Sequence, residues 1–168
     1  LNANGAGEAS RQESLESRLH RLEAIEAIKQ LKARYLSACD RKQVDVIRDC
    51  FADGPVTIDY GPIGRFEHRD GLIDAFERLG NHDFIVDMHH GQNPQIEILS
   101  PDSARGSWQL YFHQINKREN QVTQLGGFYE DGYVRIDGRW SIGSTVFTVS
   151  SSCTVLLSEG KPLQVITT

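Results

Sequence analysis

Cysteine is scarce in this sequence and does not pair up by number. Only Cys39, Cys50 and Cys153 occur. An odd count without C-x-x-C spacing argues against a disulfide framework and against a thiolate zinc site. Small apolar packing roles in a reducing cytoplasm are the expectation for all three. Long apolar runs are missing too. None approaches the roughly 20 residues of a membrane helix. No run of basic residues occurs, and the formal net charge is -5. Nucleic acid and anionic membrane are therefore poor partners. There is no HExxH, no GxSxG and no phosphate-cradling glycine loop that leads into a helix. Internal repeats and low-complexity blocks are absent as well.

What is present fits one domain. A chain of 168 residues can bury a sizeable core. Residues 1–13 are small and polar and read as a flexible leader. From Leu15 the pattern changes. Leu15, Leu19, Leu22, Ile25, Ile28, Leu31 and Tyr35 recur at helical steps, which predicts one long amphipathic helix to about Cys39. Glu16, Arg18, Glu23, Lys29 and Lys32 are expected on its solvated face. A short helix follows with Val44, Ile47 and Phe51 on one side, and Asp53-Gly54-Pro55 stops it. Val56–Tyr60 and residues 64–68 read as a strand pair, and residues 71–79 as a third helix capped by Asp70.

After Asn81 the character becomes β. Residues 95–99, 106–116, 121–135 and 139–149 read as strands. Asp137-Gly138 is a specific hairpin signal. Gly126-Gly127 reads as a bulge within a strand. Residues 154–157 and 163–166 suggest a terminal hairpin or exchanged tail, so 14–152 forms the domain and 153–168 a tail. Helices first and long strands after give an α+β fold. A curled antiparallel sheet, a half-barrel, would wrap the long helix and leave a cavity at its open end.

Five candidates could carry chemistry, the adjacent His89 and His90 counting as one. Asp40 falls at the helix end, where aspartate also serves as a cap. His89 and His90 are adjacent, so in a strand only one faces the interior. An inward histidine is the natural proton carrier near neutral pH. His113 alternates with Trp108, Leu110 and Phe112, and the pattern does not say which set faces in. Tyr35 and Tyr60 fit core packing as well as a site. His89, His113 and a carboxylate make only a weak case for a metal.

Three stretches carry a resemblance: LSACDRKQ (36–43), MHHGQN (88–93) and YEDGYVRIDGRW (129–140). Together they resemble the SnoaL-like, nuclear-transport-factor-2-like superfamily over about residues 20–150. Within it they resemble scytalone dehydratase and the hexachlorocyclohexane dehydrochlorinase. The resemblance implies a cone-shaped α+β barrel. It implies a dyad of Asp40 and His89, with Tyr60 and His113 as further catalytic residues. Tyr35, Trp108 and Tyr129 would line the substrate pocket. It also implies a lyase that needs no metal and no organic cofactor. That lyase would pull a proton from carbon and eliminate water from a small hydroxy-carbonyl compound. Isomerisation, cyclisation or a non-catalytic module are the alternatives within the superfamily. The sequence departs from scytalone dehydratase at Cys39, where that enzyme has tyrosine. It departs again at Gly127 and Tyr129, which replace a polar pair. A homodimer or homotrimer is the expected assembly. Ile115, Val122, Phe147 and Val149 are candidates for an apolar outer sheet face.

Overall fold

The computed structural model describes residues 14–157. The leader expected at residues 1–13 and the terminal strand expected at 163–166 lie outside them. Helix α1 spans Leu15–Asp40. Ser14 caps it, its side chain accepting the Ser17 N–H at 3.1 Å. The chain leaves α1 through Lys42, at φ 58°, whose N–H returns to the Cys39 carbonyl. Helix α2 follows at Val44–Asp49, then strand β1 at Pro55–Asp59, a 3-10 turn at Gly61–Ile63 and strand β2 at Arg65–His68. Helix α3 spans Arg69–Leu79. His68 precedes it and makes no side-chain cap bond, so the cap expected of Asp70 sits instead in the first helical turn. Four long strands complete the chain: β3 (Ile85–Ser100), β4 (Ser103–Asn116), β5 (Gln121–Ile136) and β6 (Arg139–Leu156).

The six strands form one curved, unclosed sheet in the order β2-β1-β6-β5-β4-β3. It is mixed rather than wholly antiparallel. β1 runs parallel to β6, with Ile58 opposite Thr145, and the other pairings are antiparallel. A parallel neighbour needs a long crossover. The α3 and β3–β5 segment supplies it.

Two strands outrun their expected limits. β3 continues through Asn93-Pro94 by a register shift between Gln92 and Gln95, with Asn93 at φ 49°. A bulge lets proline stay in a strand without breaking the ladder. β6 continues through Cys153 to Leu156 because β5 pairs with it along its whole length. The β5–β6 hairpin turns at Asp137-Gly138, both with positive φ (49° and 78°), as expected of that dipeptide.

The helix and the sheet meet over half of α1 only. Its buried residues begin at Ile28 and run to Cys39. Leu15, Leu19 and Leu22 are exposed, so the first part of the predicted apolar stripe is not core. Lys32 departs in the opposite sense. Expected in solvent, it is completely buried. The spacing explains this, because Ile28, Lys32, Tyr35 and Cys39 follow one another at steps of four, three and four on one face.

The bulge expected at Gly126-Gly127 is present as a register shift against β6. A Cβ on Gly127 would lie 2.5 Å from Phe147 Cζ and 2.6 Å from the Thr148 carbonyl. The second contact is backbone and cannot swing away. Gly127→Ala is expected to cost about 1–3 kcal/mol through overpacking. Thermal melting of that variant checks it, and an unchanged Tm would show that the two strands separate freely here.

Candidate active site

α1 ends where β3 passes beside it, and this brings two predicted residues together. The His89 Nδ1 lies 2.5 Å from Asp40 Oδ1. The His89 backbone N–H also donates to both Asp40 oxygens, at 3.1 and 3.2 Å. Asp40 therefore grips main chain and ring together. A carboxylate can only accept, so Nδ1 is the donor of this bond, and in the neutral ring the lone pair then lies on Nε2. The ring also leans on Phe112, with centroids 4.6 Å apart. Both side chains keep a small exposed fraction, 17% for His89 and 16% for Asp40. His90 points to the other face, where its ring lies 6.3 Å from that of Tyr111.

A second carboxylate stands two residues earlier on the same face of β3. Asp87 is buried, and it is held by the Lys42 ammonium and by Gln114 Nε2 at 2.9 Å. The sharp turn at Lys42 brings its ammonium to Asp87. That cation offsets a charge beside the dyad.

The predicted tyrosines form a layer deeper in the interior. Tyr35 and Tyr60 share a hydroxyl hydrogen bond of 2.9 Å. The Tyr60 ring meets Tyr129 edge-on at 6.0 Å, and Tyr129 meets Phe147 at 4.6 Å. Burial raises the pKa of all three hydroxyls, so each keeps its proton. Phe147 thus belongs to the inner face and not to the outer patch expected of it.

Trp108 faces inward as well, but its indole N–H is already given to the Tyr133 hydroxyl at 2.9 Å. His113 is not part of this group. Its β3 neighbour is the exposed Met88, whereas Phe112 pairs with His89. Strand alternation therefore puts His113 on the outer face, away from the dyad. The sequence alternation left both sets open, and Trp108, Leu110 and Phe112 proved to be the inward one.

One cluster was missed altogether. Lys32 Nζ donates to Asp131 Oδ2 at 2.8 Å, Tyr133 donates to the same oxygen at 2.7 Å, and Thr145 donates to Oδ1 at 2.7 Å. The same Nζ lies 3.4 Å from the centroid of the Tyr129 ring. Burial lowers the Lys32 pKa, and Asp131 opposes that shift. Two signals in the sequence pointed here. Lys32 falls on the buried stripe of the helix, and Asp131 alternates with Tyr129 and Tyr133 along β5.

The cavity expected at the open end, lined by the dyad, is not one of the two clefts described. The larger, about 880 Å³, lies between the first half of α1 and the turns after β3 and β5, lined by residues such as His20, Leu99, Arg135 and Trp140. The smaller lies beside Asp53, Tyr133 and Ser144. Among the described residues, no cluster of three or more potential metal ligands occurs. No helix among them is long and apolar enough to cross a membrane.

A cone-shaped α+β domain with an acid–imidazole pair on its inner face defines the class. The chain belongs to the SnoaL-like domain family, whose model matches residues 20–146. Solved structures agree on the fold. A hexachlorocyclohexane dehydrochlorinase (LinA, type 2) superposes with a TM-score of 0.78 at 21% identity, covering 89% of this chain and 100% of that one. The type 3 enzyme of Novosphingobium barchaimii LL02 gives 0.77 at 21% identity, with the same coverage. A Novosphingobium aromaticivorans protein named provisionally for scytalone dehydratase gives 0.75 at 19% identity, covering 89% of this chain and 99% of that one. At these identities the likeness establishes the fold.

The buried thiols supply a test of the interior. Burial pushes the Cys39 thiol up to about 12. Cys153 is exposed. Iodoacetamide at pH 8 is expected to alkylate Cys153 while sparing Cys39, as mass spectrometry of the folded protein would read. The folded chain keeps the Cys39 proton to about pH 12, whereas an ordinary thiol loses it near 9.0. Stability from this group is therefore present below pH 9 and falls as pH rises through that window. Equal labelling of the two cysteines would mean that the interior opens readily.

Proposed function

We propose that the chain is a cofactor-independent lyase in which His89 removes a proton from carbon. The observation that carries this is the Asp40–His89 contact. Asp40 fixes the ring with Nε2 unprotonated and balances the positive charge that the ring gains on accepting a proton. The surrounding Phe112 and partial burial keep that charge change in a medium of low polarity, where the carboxylate's support is strong.

The proton comes from a carbon next to a carbonyl, where the resulting carbanion is delocalised as an enolate. A hydroxyl on the neighbouring carbon then leaves as water. Tyrosine hydroxyls of the inner layer, which keep their protons, are the available donors to the developing oxyanion. The substrate class is a small cyclic or polyketide-like hydroxy-carbonyl compound, suited to an aromatic surround. His113 has no place in this step, because it stands on the other face. The family and its LinA neighbours support the reading. Isomerisation or cyclisation would use the same proton abstraction without a leaving group.

One observation favours a second reading, that of a non-catalytic binding or structural module. Tyr35, Tyr60 and Tyr129 are almost completely buried, so the layer beneath the dyad is packed. Self-association belongs to either reading. Met88, Tyr111, Phe128 and Val146 are exposed on the outer sheet face and offer apolar area to a second copy.

The two readings separate with 5-nitrobenzisoxazole, which reports any positioned base in an apolar site. A base takes its ring C–H proton, the electrons form a nitrile, and the N–O bond breaks to a coloured phenolate. The lyase reading predicts cleavage by the wild type. His89→Ala should reduce it at least 100-fold, and Asp40→Asn by roughly 10²–10⁴-fold. Wild-type protein without cleavage above buffer, or a His89→Ala variant of full rate, would favour the module.

A further inference from the structure

The dyad makes no use of Lys32, yet a completely buried ammonium is costly and calls for a reason. Its bonding has a direction. Asp131 is the anion behind it, and that anion is already shared with two hydroxyls. Trp108 fixes the sense of one of them. The indole N–H can only donate, so Tyr133 accepts from it and gives its own proton to Asp131. Thr145 takes the other carboxylate oxygen. Asp131 is thus turned toward Lys32, Tyr133 and Thr145, all fixed by strand or helix backbone.

The ammonium has two further protons. The Tyr129 ring face lies 3.4 Å from Nζ, well inside the range of a cation–π contact. Tyr35 lies further off, at 5.5 Å. The ion pair is therefore a fixed dipole whose positive end meets the tyrosine layer. A cation on the face of a phenol ring withdraws electron density from it, so the hydroxyl becomes a stronger donor. Lys32 lies eight residues before Asp40 on α1, which is about 12 Å along the axis. Base and cation thus stand at opposite ends of one inward helix face.

We propose that Lys32 is a positioning residue that acts through Tyr129, making its hydroxyl the donor to the substrate oxygen that gains negative charge. This rests on the proposed histidine base. The oxygen that Tyr129 serves is that of the carbonyl beside the carbon that His89 deprotonates. Tyr129 is the group in contact with substrate, and Lys32 with Asp131 sets its strength.

The test uses Lys32→Met combined with Asp131→Asn, since removing the lysine alone would strand a buried carboxylate. Thermal melting establishes that the double variant is folded. The probes are 5-nitrobenzisoxazole and unsubstituted benzisoxazole, whose leaving phenolate is more basic and leans harder on a donor. The double variant should lose about tenfold on the nitro compound. It should lose more on the unsubstituted one, with KM little changed. In a Tyr129→Phe background the same pair of changes should produce no further difference between the two probes. A purely structural role would lower both rates equally, and equal losses overturn the proposal.

A second readout needs no turnover. With p-cyanophenylalanine at position 129, the nitrile stretch should shift between the Lys32/Asp131 background and the double variant. An unchanged stretch also overturns the role of Lys32. The base and the cation fail separately. Full activity of His89→Ala removes the first, and an unmoved nitrile removes the second.

Discussion

A single helix has to fill the concave face of a six-stranded sheet, and much of the structure follows from that constraint. The inward face of α1 is not wholly apolar. Between Ile28 and Asp40 it carries Lys32, Tyr35 and Asp40, and each needs a partner once it leaves water. The sheet supplies Asp131 for the first and His89 for the last, and Tyr60 beside it supplies the partner of the second. Three polar contacts with fixed partners therefore set the register of the helix. Slipping α1 by one turn, about 5.4 Å, would keep an apolar fill and break all three. Apolar area drives the helix onto the sheet, and the polar pairs decide where it stops.

This division explains why part of the fold was legible in the sequence and part was not. Long periodic segments announce themselves, so α1, β4, β5 and the Asp137-Gly138 hairpin could be read from period and turn chemistry. What periodicity cannot show is how far a partner surface extends. Leu15, Leu19 and Leu22 continue the stripe of α1 and are exposed. Pro94 hid the continuity of β3, because a bulge that tolerates proline depends on pairing with a distant strand. The parallel pairing of β1 with β6 is likewise a property of the whole sheet.

The site shows the same split. Asp40 and His89 were found through a family resemblance, and the geometry unites them. His113 was carried over with them and stands on the other face, since one step along a strand reverses direction. In the sequence Lys32 reads as a solvated residue, because charge is normally outside. Its place on the apolar stripe was the better guide. A charged residue that interrupts a buried stripe points to a countercharge elsewhere in the chain. Here the alternation of Tyr129, Asp131 and Tyr133 along β5 named it. Tyr35, Tyr60 and Tyr129 are buried near the dyad, a consequence of side-chain volume that pattern does not show.

The proposed chemistry depends most on the state of one imidazole. Nitrogen-15 NMR of protein labelled at histidine reads it directly, at a pH where the ring is neutral. The prediction is a fixed tautomer for His89, with the proton on Nδ1 and the lone pair on Nε2. Asp40→Asn should release the ring into exchange between tautomers. A His89 ring that already exchanges freely in the wild type, or that carries its proton on Nε2, would contradict the account.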